Sequence, residues 1–224
     1  MKKYLTITVV AILLSSCAQG ITRGVQYSQM YEEKPTSIVI MPPINQTNSV
    51  EAKEFFYTTM YMPLCEKGYY VFSPYLTMEM LQSESAYDSE MFLEGDLGTF
   101  SQVLGADAAM FTIVKSWDRN SLLGNLTVGV EYILRSTNTG ETLYHREGLI
   151  KLDTSVNIGG GGLVGSLVNM AATAVSTAMT DKVVAGRRCT AFVLSDMPVG
   201  KYSDVFGKDG EVLAGDKFIK ATVK

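Results

Sequence analysis

The spacing of apolar and polar positions changes several times along the chain, and each change marks an element. Ser37-Ile38-Val39-Ile40-Met41 is a continuous apolar run, the pattern of a strand buried on both faces. Pro42-Pro43 should end it, because proline has no N–H to give to a sheet ladder. From Glu51 the period turns helical, with Ala52, Phe55, Phe56, Thr59, Met60 and Leu64 near i, i+3, i+4, i+7 spacing. Gly68 falls just past that helix. Tyr69-Tyr70-Val71-Phe72 reads as a second strand, stopped by Ser73-Pro74, and residues 75–84 and 97–104 read as short helices. Ala106 to Trp117 is a third strand, and Leu126–Arg135 with Glu141–Leu152 is a hairpin closed by Ser136-Thr137-Asn138-Thr139-Gly140. Val128, Val130, Tyr132 and Leu134 share one side of its first arm, so one face of the pair should lie on the core. Leu163, Leu167, Ala171 and Ala178 follow helical spacing up to about Gly186. The order of elements predicts one α/β domain around a mixed sheet, in two or three layers.

The first twenty residues follow different rules. Met1-Lys2-Lys3 precedes an uncharged stretch from Tyr4 to Leu14, a secretory signal layout too short for a bilayer span of roughly 20 residues. Leu14-Ser15-Ser16-Cys17 then places small side chains at a scissile bond and a thiol directly after it. This resembles the bacterial lipobox, which implies cleavage before Cys17 and a diacylglycerol on its sulfur. Two or three acyl chains hold a protein stably, at about 0.8 kcal/mol per buried methylene. Ala18 stands where an Asp retains enterobacterial lipoproteins at the inner membrane, so an outer-membrane lipoprotein is expected.

The domains expected are therefore a signal peptide over 1–16, the lipidated Cys17 with a polar tether over 17–34, an α/β domain over 35–195, and a Gly/Asp-rich C-terminal segment over 196–224. Loss of Lys2 and Lys3 takes the formal charge from −4 to −6, which argues against nucleic acid as a partner. Cys65 and Cys189 remain. A disulfide between them and two separate buried thiols are both compatible with the compartment.

Four segments carry a resemblance. Ser37-Ile38-Val39-Ile40-Met41-Pro42-Pro43-Ile44-Asn45-Gln46-Thr47 resembles the opening strand and loop of the TolB N-terminal domain and of the CsgG curli-secretion lipoproteins. Tyr61-Met62-Pro63-Leu64-Cys65-Glu66-Lys67-Gly68-Tyr69-Tyr70-Val71 is similar to one branch, the lipoproteins represented by a genome-derived neisserial antigen. Ala106-Asp107-Ala108-Ala109 and Asn138-Thr139-Gly140-Glu141-Thr142-Leu143 also fit that branch, so the resemblance covers about residues 35 to 186. It implies a TolB N-terminal-domain-like fold, a homo-oligomer, a partner such as a CsgG-like export channel or another envelope protein, and no enzyme activity.

Other candidate chemistry is sparse. His145 is the one histidine and alternates with strand residues, whereas a catalytic imidazole needs an orienting carboxylate and a nucleophile or metal. Gly159 to Gly162 precedes a helix, yet no Lys or Arg lies between Thr154 and Thr180 to complete a phosphate loop. A hinge fits better, and no cofactor is expected. The uncharged stretch 154–180 is long enough for a membrane but carries Asn157, Asn169 and repeated Ser and Thr. It is read as a helix packed on the sheet or on another copy, with Gly161 and Gly165 permitting close approach. Asp88, Glu90, Glu94 and Asp96 match neither a calcium loop nor a glycosidase pair, and no Cys/His spacing suggests a metal. Asn125-Leu126-Thr127 has the form of a eukaryotic glycosylation sequon, without meaning behind a bacterial lipobox. The expectation is a non-enzymatic, membrane-anchored binding or assembly module. Its rivals are a glycan-processing enzyme, which needs carboxylates converging near Glu94, Asp96 or Asp118, and a pore subunit, for which the 126–152 hairpin is short and charged.

Overall fold

The structure is a computed structural model and describes residues 20–50, 52–120, 125–153 and 182–223. Seven strands form one mixed sheet. β1 (Ser37–Ile40) is fully buried and runs parallel to both β3 (Tyr70–Val71) and β4 (Ala108–Asn120). β5 (Asn125–Ser136) and β6 (Thr142–Asp153) extend the sheet antiparallel, and β7 (Phe218–Val223) closes the far edge parallel to β6. The order is β3-β1-β4-β5-β6-β7. The expected α/β class with a mixed sheet is the observed one.

Pro42-Pro43 interrupts the first strand rather than ending it. Met41 donates its N–H to Met110, the two prolines skip the ladder, and β2 (Ile44–Asn45) resumes pairing with β4 before Gln46 donates to Val114. The helix expected from residue 51 is two helices, α3 (Ala52–Thr59) and α4 (Tyr61–Glu66). Pro63 lacks the N–H that would have met the Thr59 carbonyl, so the axis breaks at Met60. α5 (Pro74–Ser83) starts on proline at its first position, where a missing N–H is harmless. α6 (Glu90–Leu93) is a single turn where only a loop was expected, and α7 (Gly98–Leu104) stops at Gly105, whose φ of 68° is open to glycine without strain. The β5–β6 turn likewise uses Gly140 at φ 75°.

The two faces of the sheet are covered unequally. On one, Ile38, Ile40, Met110, Val130, Tyr132 and Leu134 pack against Phe56, Met60 and Leu64 of α3–α4 and Cys189 and Val193 of α8 (Lys182–Val193). Each such side chain contributes about 1.5–3 kcal/mol by leaving water, as an upper bound. On the other, Val39, Met41, Ala109 and Phe111 meet Leu81, Leu97 and Phe100 of the α5–α7 region. Among the described residues, three layers stand over β3-β1-β4, and no helix covers the rest of the second face. A β-bulge between Val114 and Ser116 inserts one residue into β4. The inserted residue lets both Val114 and Trp117 reach the first face, where Trp117 packs on Phe55 and Phe56.

Three expectations change at the ends of the domain. Residues 20–34 are not a free tether: α1 (Arg23–Gln26) and α2 (Ser28–Glu33) pack on the domain through buried Tyr27 and Met30. α8 runs to Val193 where its helical pattern was expected to fade at Gly186, and a 3-10 turn follows at Leu194–Asp196. The Gly/Asp-rich segment supplies β7, in which Lys220 and Thr222 alternate with Ile219 and Ala221. The signal peptide over 1–16, Cys17, the glycine run 159–162 and the uncharged stretch 154–180 lie outside the described residues. Among the described residues, no helix is long and apolar enough to cross a membrane.

Candidate functional site

A buried polar clasp joins the two ends of the domain. Asp196, in the 3-10 turn after α8, accepts from Arg23 Nε at 3.0 Å, from the Tyr27 hydroxyl at 2.7 Å and from Gly215 N at 2.9 Å. Arg23 also stands 3.7 Å from Asp209, whose carboxylate accepts from Val199 N at 3.0 Å. One guanidinium therefore offsets two buried carboxylates, the condition under which buried charge is tolerated. Arg146 of β6, itself buried, donates to the carbonyls of Asp216 at 2.8 Å and Val193 at 3.1 Å. Lys67 donates to the Met197 carbonyl at 2.9 Å, and burial pulls its ammonium down to about 8, with Arg23 adding repulsion. Burial and the bond to Asp196 push the Tyr27 phenol up to about 12. The donors named go to main-chain carbonyls and to the Asp196 and Asp209 carboxylates, and the adjoining cavity is only about 20 Å³. The clasp positions residues 20–23 on the domain.

The open part of the second face carries a charged network. Glu131 and Glu147 stand directly opposite on β5 and β6, and Lys115 at the bulge bridges them at 2.8 and 3.1 Å. His145 Nε2 lies 2.6 Å from Glu131, reached diagonally because its own cross-strand neighbour is Ile133. Partial burial would raise Glu131, but hydrogen bonds from Lys115 and His145 outweigh it and hold the carboxyl below its usual range. His145 thus has the carboxylate partner that sequence reading did not find. His145 is exposed on the sheet face, and the cluster presents both signs of charge there.

Two largely apolar hollows lie among the helices. One of about 510 Å³ lies between α5 and α7, lined by Met80, Leu81, Phe92, Phe100 and Val103. Another of about 380 Å³ opens beside Pro43, Tyr57, Met78 and Tyr87. Arg135 of β5 fixes the wall of the first, donating to the carbonyls of Phe92, Leu93 and Gly95 at 3.1, 2.7 and 3.1 Å.

The remaining candidates are dispersed. Asp88 and Asp96 cap the backbone N–H groups of Glu90 and Gly98 locally. Asp118 pairs in register with Thr127, eight residues along β5 from the Arg135 that anchors the Glu94–Asp96 loop, or roughly 26 Å at 3.3 Å per residue. The carboxylates of Glu94, Asp96 and Asp118 therefore do not converge. Among the described residues no group of three or more His, Cys, Asp or Glu is placed to hold a metal. Cys65 on α4 and Cys189 on α8 are both free thiols, and burial pushes Cys189 up to about 12. Met60 and Tyr57 belong to the core, the latter donating to the Pro74 carbonyl at 2.6 Å, whereas Tyr61 and Met62 are exposed.

Comparison with known proteins gives consistent matches. The family model described as "Putative lipoprotein GNA1162-like" matches residues 25–210. The "Putative lipoprotein NMB1124/NMB1162" of Neisseria meningitidis serogroup B is 25% identical over 183 residues, 80% of this chain and 84% of that protein. Among solved structures, lipoprotein GNA1162 from Neisseria meningitidis is 23% identical with a TM-score of 0.49, covering 63% of this chain and 99% of its own. A PelC dodecamer from Paraburkholderia phytofirmans is 15% identical with a TM-score of 0.42, covering 80% and 93%.

Proposed function

The chain belongs to the GNA1162-like lipoprotein family, and from that premise we propose that it is a non-enzymatic envelope protein, anchored through lipid on Cys17, that binds or assembles other envelope proteins. The observation that carries the anchor is Cys17 itself, directly after Leu14-Ser15-Ser16 in a chain of a lipoprotein family. The binding role is supported by the open charged face of Lys115, Glu131, His145 and Glu147 and by the apolar hollow between α5 and α7. Ala18 after the cysteine favours the outer membrane. Self-association draws support from the two sheet edges among the described residues, β3 and β7. An accessory place beside a CsgG-like export channel rests on the opening strand and loop, Ser37 to Thr47.

A variant in which a plain cleavable signal peptide replaces residues 1–17 tests the anchor. The variant should move from the membrane pellet to the soluble fraction of the envelope; a variant that stays with the membrane contradicts it. Sedimentation of the acyl-free protein at micromolar concentration tests self-association, and a monomer throughout would contradict it.

A further inference from the structure

We infer that the exposed apolar residues around Ile21 and Leu213 form a second membrane contact, which lies on the bilayer surface and sets the domain's orientation. The inference rests on lipidation of Cys17. Gly20 is three residues beyond that cysteine, so the folded body begins within about 11 Å of the acylated residue even when the chain is fully extended.

What lies at that point is apolar and exposed. Ile21, just before α1, is 58% exposed and Val25 within it 69%, while Val212 and Leu213 on the adjacent loop are 46% and 62% exposed. Their backbones are joined: Arg23 N donates to Val212 O at 2.8 Å, Ala214 N to Ile21 O at 2.8 Å, and Thr22 pairs with Leu213 as an antiparallel bridge. Gly20 lies against Leu213, close enough that a Cβ there would sit 3.4 Å from its Cδ2. The Asp196 clasp ties Arg23 and Gly215, which stand beside the strip, to the domain.

An anchor this short keeps the strip close to the headgroup layer, and those of its aliphatic side chains that face the layer gain by entering it. Acids and bases next to the strip balance, Lys208 and Lys217 against Glu211 and Asp216, so the contact should be apolar and insensitive to salt. The interaction matches an interfacial apolar face that enters the headgroup boundary by about 5–10 Å.

The test uses the lipidated protein in phosphatidylethanolamine/phosphatidylglycerol vesicles containing lipid brominated near the headgroup end of its acyl chains. Leu213→Trp and Val25→Trp each add one indole to Trp117, the only tryptophan of the wild type, which supplies the baseline. Emission from the added indole should shift to the blue and fall about twofold, as fits a ring at the headgroup boundary, and should not recover at high salt. Tyr87→Trp, on the α5–α6 side, should behave as in water. Flotation of the same samples reads the anchor separately. A Leu213→Trp protein that floats while its added indole stays unquenched overturns the docking surface and leaves the anchor standing. Protein that does not float refutes the anchor, and the docking surface falls with it. A blue shift on raising protein concentration without vesicles assigns the strip to a second copy and likewise overturns the proposal.

Discussion

The Tyr27 hydroxyl donates to Asp196 at 2.7 Å, joining residues 169 apart in the chain, and this bond fixes the N-terminal segment to the 3-10 turn after α8. The same carboxylate receives Arg23 and the backbone of Gly215, so both ends of the fold converge on one buried group. Asp196→Ala leaves Arg23 without its closest partner and should destabilise the protein by about 3–5 kcal/mol. Tyr27→Phe removes the hydroxyl that donates to Asp196 and accepts from Gln26 Nε2 at 3.0 Å, and should cost about 1–3 kcal/mol, since the Tyr27–Tyr144 ring contact persists. Urea midpoints of the two variants check the ranking, and equal losses would contradict it.

Lys67 predicts a pH dependence. Its pKa is about 8 in the folded protein against 10.5 in an open chain, so between those values the unfolded state binds more protons. Stability should therefore rise as pH increases from about 8, because the penalty for burying the ammonium is progressively relieved. The trend should turn near pH 10. There Tyr27, pushed up to about 12, keeps its proton when folded and would lose it when unfolded, which favours unfolding. Lys67→Met should flatten the slope between pH 8 and 10. An unchanged slope in thermal melts would remove Lys67 as its source.

Gly148 on β6 sits beneath Val193 of α8, and a Cβ there would overlap the valine Cγ2. Gly148→Ala should destabilise by about 1–3 kcal/mol through overpacking. Adding Val193→Ala should recover part of the loss, because it removes the overlapping methyl. A double variant that is as unstable as the sum of the singles would contradict this packing.

Arg135 holds the carbonyls of Phe92, Leu93 and Gly95 with one nitrogen. Arg135→Met keeps much of the apolar stem and removes those bonds. Amide exchange across residues 88–97 should accelerate, while β1 and β5 keep their protection. Uniform acceleration over the whole sheet would show a global rather than a local role.

Much of the framework is legible from periodicity because the residues that decide it are local. Val128, Val130, Tyr132 and Leu134 alternate and are all buried on one face. Gly105 and Gly140 stand where a positive φ is required. The failures come from partners distant in sequence. Residues 20–34 look polar and aperiodic, and only Tyr144 and Asp196, more than a hundred residues on, explain why Tyr27 is inside. β7 was hidden by the glycines and aspartates before it, although Ile219 and Ala221 alternate with polar residues. The Lys115 bulge reverses which residues of β4 face the helices, and nothing around Lys115 announces it. The sheet-face cluster was missed for a related reason: Glu131 and His145 meet on a diagonal that depends on register, not on spacing.

The intact mass of the native protein, extracted from envelopes with its acyl groups in place, bears most directly on the anchor. The expected polypeptide begins at Cys17 and carries a diacylglyceryl thioether on that residue, with the clasped domain starting three residues later. A chain that begins elsewhere, or an unmodified Cys17, would contradict the account.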